Sequence, residues 1–246
     1  MIRKLVILHT LLLLVSTIYG VNDKIYSQGS SSVDTLAQFL SQGNGALGEE
    51  LVYEFATIYI EESKIEGINW DIAFVQMCLE TGFLRYGGLV ESGQNNFCGL
   101  GSFDNKQGAS FPTIREGVRA HIQHLKAYSS TEDLNRELLD PRFHFVERGS
   151  ALDVHDLTGR WATDPKYGIK LVSLLQRVSL IERTQLVLNA EVPMGYQEVS
   201  EPKVMVVSDI IEVKPVIKDV VETVFEGIID ENIVEDGIEE KGGWLK

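Results

Sequence analysis

One acidic side chain stands at the end of an apolar helical run in the segment QMCLETGFLRYGG, residues 76–88. If the helix ends near Thr81, Glu80 lies at the edge of its buried face, because Ala73, Met77 and Glu80 follow at i, i+4 and i+7. Partial removal from water disfavours an ionised carboxylate and raises its pKa. Such a group can act as a general acid on a glycosidic oxygen. The same spacing also fits an ordinary helix-end glutamate in water.

Other catalytic signatures are weak. His121 and His124 lie three residues apart, without an HExxH arrangement or a third ligand at metal-binding spacing, so no zinc site is predicted. The sequence has no GxSxG, Walker loop or paired CxxC, and we expect catalysis without a metal or cofactor. Cys78 and Cys98 flank the candidate acid. They are compatible with one disulfide in an exported protein or with two buried apolar side chains.

The candidate acid must be held by helices. Thr113 with Glu116 has the spacing of a capping box, and Asp164 with Pro165 has the types found at a helix start. Residues 83–112 are rich in Gly and Asn, and we expect loops there with at most a short β-hairpin, a usual place for binding groups. Apolar periodicity predicts four helices, at about 46–65, 69–81, 113–128 and 165–188.

Length and charge limit the protein class. A chain of 246 residues with 44% apolar composition can bury one sizeable core. The net charge of −14 disfavours nucleic acid and anionic membranes as partners, because an acidic surface repels both. A neutral or sugar-like substrate fits better.

The two ends of the chain differ from its centre. Arg3 and Lys4 precede an apolar run and a small-residue stretch that ends at Gly20, which is typical of a secretory signal peptide; an uncleaved membrane anchor is the alternative. Most of the net negative charge lies after residue 188, where acids alternate with Val and Ile without a sustained period. The predicted organisation is a signal peptide at 1–20, a linker at 21–45 with room for one helical turn, a helical domain at 46–188 and an acidic, disordered or weakly structured tail at 189–246. A small β or helical module is the alternative for the tail.

Five segments of this sequence resemble, in order, the bacterial glucosaminidase domain, glycoside hydrolase family 73, which is similar in fold to lysozyme. The resemblance covers roughly residues 46–188. The segments are INWDIAFVQMCLETGFL, GQNNFCGLG, SFPTIREGVRAHIQHLKAYSS, DPRFHFVERGSA and GRWATDPKYGIKLVSLLQ.

The resemblance implies a mainly α (α+β) domain, two-lobed and lysozyme-like, with a short loop or β segment. It implies a groove for peptidoglycan glycan strands, cleavage after N-acetylglucosamine, and Glu80 as the proton donor. We expect a secreted, periplasmic or cell-wall-associated enzyme without stable membrane insertion after signal cleavage; its oligomeric state stays open. A lytic transglycosylase and a noncatalytic wall-binding protein are the alternatives.

The family pattern also assigns further residues to the groove. Asn95, Asn96 and Phe97 of the NNF block are implied to bind substrate, although an Asn pair in a Gly-rich loop also forms turns. Tyr167 is implied to lie in the catalytic cleft, or it packs on the first turn of the last helix. Trp161 stands where relatives often have tyrosine, and it either faces a sugar ring or belongs to the core.

A second catalytic carboxylate is less clear. Glycosidases commonly use two acids. Asp104 is the preferred candidate here and Glu91 the other, and both are also compatible with solvated loop acids. The acetamido group of the substrate could serve as nucleophile instead. The stereochemical outcome is therefore left open.

Overall fold

Five α-helices build the part of the chain that the computed structural model describes, which is residues 20–87, 91–102 and 108–189. Within these residues there is no strand, only isolated bridges. The prediction of a mainly α domain is confirmed. The signal peptide and the acidic tail lie outside the described residues, apart from Gly20 and Asn189. In chain order the helices are α1 (Val33–Gly43), α2 (Glu49–Glu66), α3 (Trp70–Thr81), α4 (Ile114–Ser129) and α5 (Tyr167–Asn189).

Helix α3 runs through the centre of the domain. Asn69 caps it, because its side-chain oxygen accepts from the backbone N–H of Asp71 at 3.0 Å and of Ile72 at 3.5 Å. Residues 70–78 are all buried, so this helix is enclosed on every side. The sequence predicted an amphipathic helix with a stripe facing the core. The burial of polar Gln76 in such a helix requires internal hydrogen-bond partners.

The segment predicted to be a linker contains a core helix instead. Helix α1 begins after Ser32, whose side chain accepts from the backbone N–H of Thr35, and its Leu36, Phe39 and Leu40 are buried. The ring of Phe39 contacts that of Phe83, with 5.3 Å between centroids. The linker prediction for 21–45 is therefore wrong. The flanking Ser and Gly residues masked an apolar pattern with helical spacing.

The backbone directly after Glu80 turns with a left-handed twist. Gly82 ends α3 at a φ of 58°, and Phe83, Leu84 and Tyr86 also have positive φ. Such a conformation costs an L-residue about 1–2 kcal/mol, so the surroundings must enforce it. They do so through the backbone N–H of Phe83, which donates to the Cys78 carbonyl at 2.8 Å, and through its buried ring. Glu80 therefore lies in the last turn of a helix whose end is fixed by the residues that follow it.

Charged side chains join α2 to α4 inside the domain. Lys126 and Glu66 are each 1% exposed and their charged atoms lie 2.8 Å apart. Glu66 also accepts the backbone N–H groups of Asn135 and Arg136 at 2.9–3.2 Å and 3.0 Å. A buried charge is tolerated only when it is paired and hydrogen-bonded in this way. The pair therefore fixes the loop after α4 against α2.

The remaining helix predictions agree with the structure within a few residues at each end. A β-hairpin is absent from the described residues of 83–112, which instead form a 3-10 turn at Ser92–Gln94 and connecting loops. No helix in the described ranges combines the length and apolar character that crossing a membrane requires.

Replacing Lys126 with methionine should lower the free energy of unfolding by about 3–5 kcal/mol, because it leaves the carboxylate of Glu66 charged and buried without its cation. Chemical denaturation of Lys126→Met measures the loss. The exposed Lys166→Met is the matched control, for which a change within about 0.5 kcal/mol is expected. Equal stability of the two variants would contradict this assignment.

Candidate active site

Two donors from outside α3 converge on one oxygen of Glu80. The indole N–H of Trp161 donates to Oε1 at 3.0 Å, and the hydroxyl of Tyr167 donates to the same oxygen. Glu80 itself is only partly buried, whereas both donors are buried. The structure therefore brings together three of the residues singled out in the sequence. Oε1 is thus contacted by two buried donors within a residue that is itself only partly buried.

The protonation of Glu80 results from opposing effects. Burial disfavours the charged form and raises the pKa of Glu80 from 4.5 to about 7, while the hydrogen bonds from Tyr167 and Trp161 act in the lowering direction. Burial also raises the pKa of the Tyr167 hydroxyl and of the Cys98 thiol well above their ordinary values, so both neighbours stay protonated. Of these three groups, Glu80 is the one that changes its charge near neutral pH.

The hydrogen bonds also distinguish the two oxygens of Glu80. Because Oε1 accepts two hydrogen bonds, its lone pairs are occupied, and the acidic proton belongs on Oε2. After proton loss, the same two donors stabilise the negative charge. The arrangement therefore suits a carboxyl group that gives up a proton and then persists as an anion.

Trp161 is held in a cluster of aromatic rings. It is 1% exposed, and its ring lies 4.9 Å from that of His124, 5.7 Å from Tyr128 and 5.8 Å from His121, between centroids. His124 is fixed in turn by a 2.8 Å contact from Nδ1 to the Asp140 carboxylate. Of the two interpretations of Trp161, the core position agrees with this burial. Its contact with the acid is made through the indole edge.

Tyr167 is positioned by the start of α5 and by α3. It opens α5, and Lys170 on the next turn pairs with Asp164 at 2.9 Å. The Gln76 side-chain amide donates to the Tyr167 hydroxyl at 2.7 Å. Because Gln76 precedes Glu80 by one helical turn, one face of α3 carries both the acid and the residue that orients its donor.

Two side chains of the NNF loop, Asn96 and Phe97, hold the loop itself in place. Asn96 is buried; its amide donates to the carbonyls of Leu100 and Ala109, and its oxygen accepts the Leu100 N–H. Phe97 is 1% exposed and packs edge-on against Phe55 at 5.0 Å. Both side chains thus hold the loop, and a direct substrate contact by either remains a prediction that burial disfavours.

Asn95 is the more accessible member of that block. Its side chain is partly buried and its amide donates to the Phe111 carbonyl at 2.9 Å, which ties the loop to the segment before α4. The carbonyl of Asn95 lies so close to α4 that a Cβ on Gly117 would meet it at 1.7 Å, so only glycine fits there. A role of Asn95 in substrate binding stays a prediction.

The second carboxylate is not placed by the structure. Asp104 lies outside the described residues. Glu91 is exposed, and its side chain accepts from the backbone of the turn at Ser92–Gln94 in a capping box. This gives Glu91 a local structural task, and its role in catalysis remains a prediction.

The cysteine and histidine side chains have structural surroundings. Cys78 and Cys98 are buried free thiols, so the disulfide alternative is not found. No group of three His, Cys, Asp or Glu residues in the described part of the chain could hold a metal ion. His121 is fully buried and its pKa is lowered to about 3 by burial and by nearby His124, which keeps it neutral.

The sequence did not reveal the buried polar residues that hydrogen-bond to Tyr167 through Gln76. Gln76 contacts His121 at 3.0 Å, and His121 contacts Tyr59 at 3.0 Å, so together with Tyr167 the site extends through four helices. The available signal was a polar Gln76 one turn before Glu80 within an apolar helix. Its distant partners could not be inferred from spacing.

A mainly α domain with a proton-holding glutamate on its central helix is the kind of site that glycoside hydrolases use. Comparison with protein families agrees. Residues 56–180 match the glucosaminidase family, described as mannosyl-glycoprotein endo-beta-N-acetylglucosaminidase, and the chain belongs to this family. It is a glycoside hydrolase domain of the class that acts on peptidoglycan glycan.

One relative comes from Borreliella burgdorferi (strain ATCC 35210 / DSM 4680 / CIP 102532 / B31) and carries the description "Uncharacterized protein". It is 45% identical to this chain over 152 residues, which is 61% of this chain and 74% of the relative. No solved structure matches the chain.

Removing the charge of Glu80 should stabilise the protein at alkaline pH. The folded-state pKa of about 7 exceeds the ordinary 4.5, so the stability present below pH 4.5 is lost as pH rises towards 7. Glu80→Gln should therefore exceed the wild type by about 1–3 kcal/mol at about pH 8 and match it at about pH 4. Denaturant unfolding at both pH values tests this, with Glu54→Gln on the exposed face of α2 as the control. A Glu80→Gln variant no more stable than the wild type at the higher pH contradicts the raised pKa.

Proposed function

We propose that this protein is an endo-β-N-acetylglucosaminidase that cleaves peptidoglycan glycan strands after N-acetylglucosamine, with Glu80 as the general acid. The single observation that carries this proposal is the pair of donors on Oε1 of a partly buried carboxyl group. Membership of the glucosaminidase family supplies the substrate class.

In the proposed reaction the proton on Oε2 of Glu80 passes to the glycosidic oxygen as the bond from that oxygen to the anomeric carbon breaks. The positive charge that develops on the sugar faces a carboxylate stabilised by Tyr167 and Trp161. Water then adds to the anomeric carbon, directly or after an intermediate forms. If an intermediate forms, Glu80 accepts a proton from that water and returns to its starting state. If water adds directly, it approaches the opposite face of the sugar, the second acid accepts its proton, and Glu80 regains a proton from solvent.

The group that stabilises or attacks the anomeric carbon is a separate proposal. Asp104 remains the preferred second acid and Glu91 the other candidate, and the acetamido group of the substrate is the third. A carboxylate that acts as base on water gives inversion at the anomeric carbon, whereas a carboxylate or acetamido nucleophile gives retention. The configuration, followed by NMR during the first turnovers, therefore decides between an inverting and a retaining course.

The proposed place of action is outside the cytoplasm, either secreted, periplasmic or associated with the cell wall. The support is the amino-terminal segment, in which two basic residues precede an apolar run ending in small residues. A net charge of −14 fits an enzyme whose ligand is a glycan strand rather than nucleic acid. Fractionation of cells and sequencing of the mature amino terminus test this placement.

Loss of the acid should abolish cleavage without loss of folding. With purified cell walls, Glu80→Gln should lower the release of reducing sugar by about 1,000-fold or more, because an amide has no acidic proton to transfer. The kcat of the wild type should fall on the alkaline side of about pH 7, where Glu80 becomes ionised. Glu54→Gln, the same change at an exposed position, should retain wild-type kcat.

Product analysis separates the proposal from its two rivals. Reducing N-acetylglucosamine ends in the mass spectrum support it. A 1,6-anhydro end would identify a lytic transglycosylase, and binding to insoluble wall without soluble product would identify a noncatalytic wall-binding protein. Undiminished release of reducing sugar by Glu80→Gln would contradict the role of Glu80.

A further inference from the structure

A chain of buried hydrogen bonds leads from the core to Glu80. The Tyr59 hydroxyl lies 3.0 Å from Nδ1 of His121, and Nε2 of His121 lies 3.0 Å from Oε1 of Gln76. Nε2 of Gln76 lies 2.7 Å from the hydroxyl of Tyr167, which bonds Oε1 of Glu80. These five residues come from four helices, α2, α4, α3 and α5. Four of them are buried, and only Glu80 reaches solvent.

The donor and acceptor properties of these groups allow the hydrogen bonds to run in one direction. Burial keeps His121 neutral, so one ring nitrogen donates and the other accepts. A side-chain amide oxygen only accepts, so Nε2 of His121 carries the proton towards Gln76. Nδ1 of His121 therefore accepts, and the donor is the hydroxyl of Tyr59, whose pKa is raised well above its ordinary value by burial. Every bond in the chain then points towards Glu80.

If the hydrogen bonds ran in the opposite direction, Tyr167 would no longer be committed to donating its proton to Glu80. A Gln76 amide rotated by half a turn would offer its oxygen to Tyr167 and compete for the single phenolic proton. It would also require Nδ1 of His121 to donate to Tyr59. The proton of the Tyr59 hydroxyl would then lose the acceptor it has, in a position that is 0% exposed. An unpaired buried donor is unfavourable, so Tyr59 selects the observed direction.

We propose that Tyr59 and His121 are positioning residues that fix the direction of the Gln76 amide and thereby commit the proton of Tyr167 to Oε1 of Glu80. This inference deepens the proposed function and rests on it for its catalytic meaning. Neither residue touches the reacting atoms. Their effect reaches Glu80 through Gln76 and Tyr167, and the accepted hydrogen bond also makes the Tyr167 hydroxyl a stronger donor.

The other groups near Glu80 do not take over the role of the hydrogen bonds from Tyr59 to Tyr167. Trp161 donates to Oε1 directly rather than through Gln76, and its ring packs on His121 at 5.8 Å as well as on His124, which is held by Asp140. Cys98 lies near Glu80 and stays protonated because burial raises its thiol pKa. A change at His121 therefore acts on the Tyr167 donor through hydrogen bonds and on Trp161 through ring packing, and a matched pair of variants is needed to separate the two.

Two substitutions at His121 separate direction from packing. His121→Leu removes both polar atoms and frees the Gln76 amide to rotate. His121→Gln is the matched variant, because its oxygen can accept from Tyr59 and its NH2 can donate to Gln76 at similar separation. The readout is the 13C NMR titration of the Glu80 carboxyl carbon, assigned with Glu80→Gln.

The wild type and His121→Gln should titrate within about 0.3 pH unit of each other, whereas the pKa of Glu80 in His121→Leu should rise by about 0.5–1 unit, because its ionised form loses a hydrogen bond. On cell walls, kcat of His121→Leu should fall about 10-fold with KM unchanged, and His121→Gln should restore it to within about threefold. Equal shifts in both variants, or no shift in His121→Leu, overturn the proposal.

Two further measurements keep the test decisive. If His121→Leu does not fold, Tyr59→Phe removes only the selecting hydroxyl and should shift the Glu80 titration in the same direction; an unchanged titration overturns the proposal. The 15N shifts of His121 in the wild type should show a protonated Nε2, and a protonated Nδ1 overturns it. These readouts need no substrate. If the protein leaves cell walls uncut, the proposed function is refuted, and the NMR measurements still test the roles of Tyr59 and His121.

Discussion

The balance between desolvation and hydrogen bonding at Glu80 is the constraint on which the rest of the structure depends. Removing the carboxyl group from water raises its pKa, and two donors on one oxygen act in the lowering direction, which leaves a pKa of about 7. A general acid must hold its proton at working pH and yet release it. The protein meets both requirements by burying the donors more completely than the acid.

Most of the fold can be understood as support for those donors. Trp161 and Tyr167 come from a segment far along the chain from Glu80, so α3, α4 and α5 must pack in one arrangement for them to meet. The buried pair of Lys126 and Glu66 joins α2 to α4, and Glu66 also holds the loop after α4. Buried polar groups of this kind are useful only when every member is satisfied, which limits the arrangements that the helices can adopt.

The sequence allowed helix α3 and the place of Glu80 on it to be predicted, because both follow from local rules, whereas the role of Glu80 as proton donor came from the family resemblance and stays a proposal. Asn69 and Gly82 bound α3, and the i, i+4, i+7 spacing places Glu80 at the edge of its face. The family resemblance added Tyr167 and Trp161, although it could not show that both bond the same oxygen. The roles of Asn96 and Phe97 were harder to foresee, because a polar loop residue is equally suited to binding sugar and to holding its own loop.

Two errors of prediction have physical causes. Helix α1 was missed because its Ser- and Gly-rich flanks indicated a linker, whereas its apolar residues are buried by partners distant in sequence, such as Phe83. The hydrogen bonds that connect Tyr59, His121 and Gln76 were missed because hydrogen bonds between helices leave no periodic signal in the sequence. Tertiary contacts of this kind depend on packing, which a single sequence does not reveal.

Infrared difference spectra of the wild type minus Glu80→Gln test the central claim most directly, since the C=O stretch of a protonated carboxyl group is separate from the bands of a carboxylate. A protonated-acid band should be present at about pH 6 and lost by about pH 8.5, because the pKa of Glu80 is raised to about 7. A carboxylate band from Glu80 already complete at about pH 6 would contradict the account.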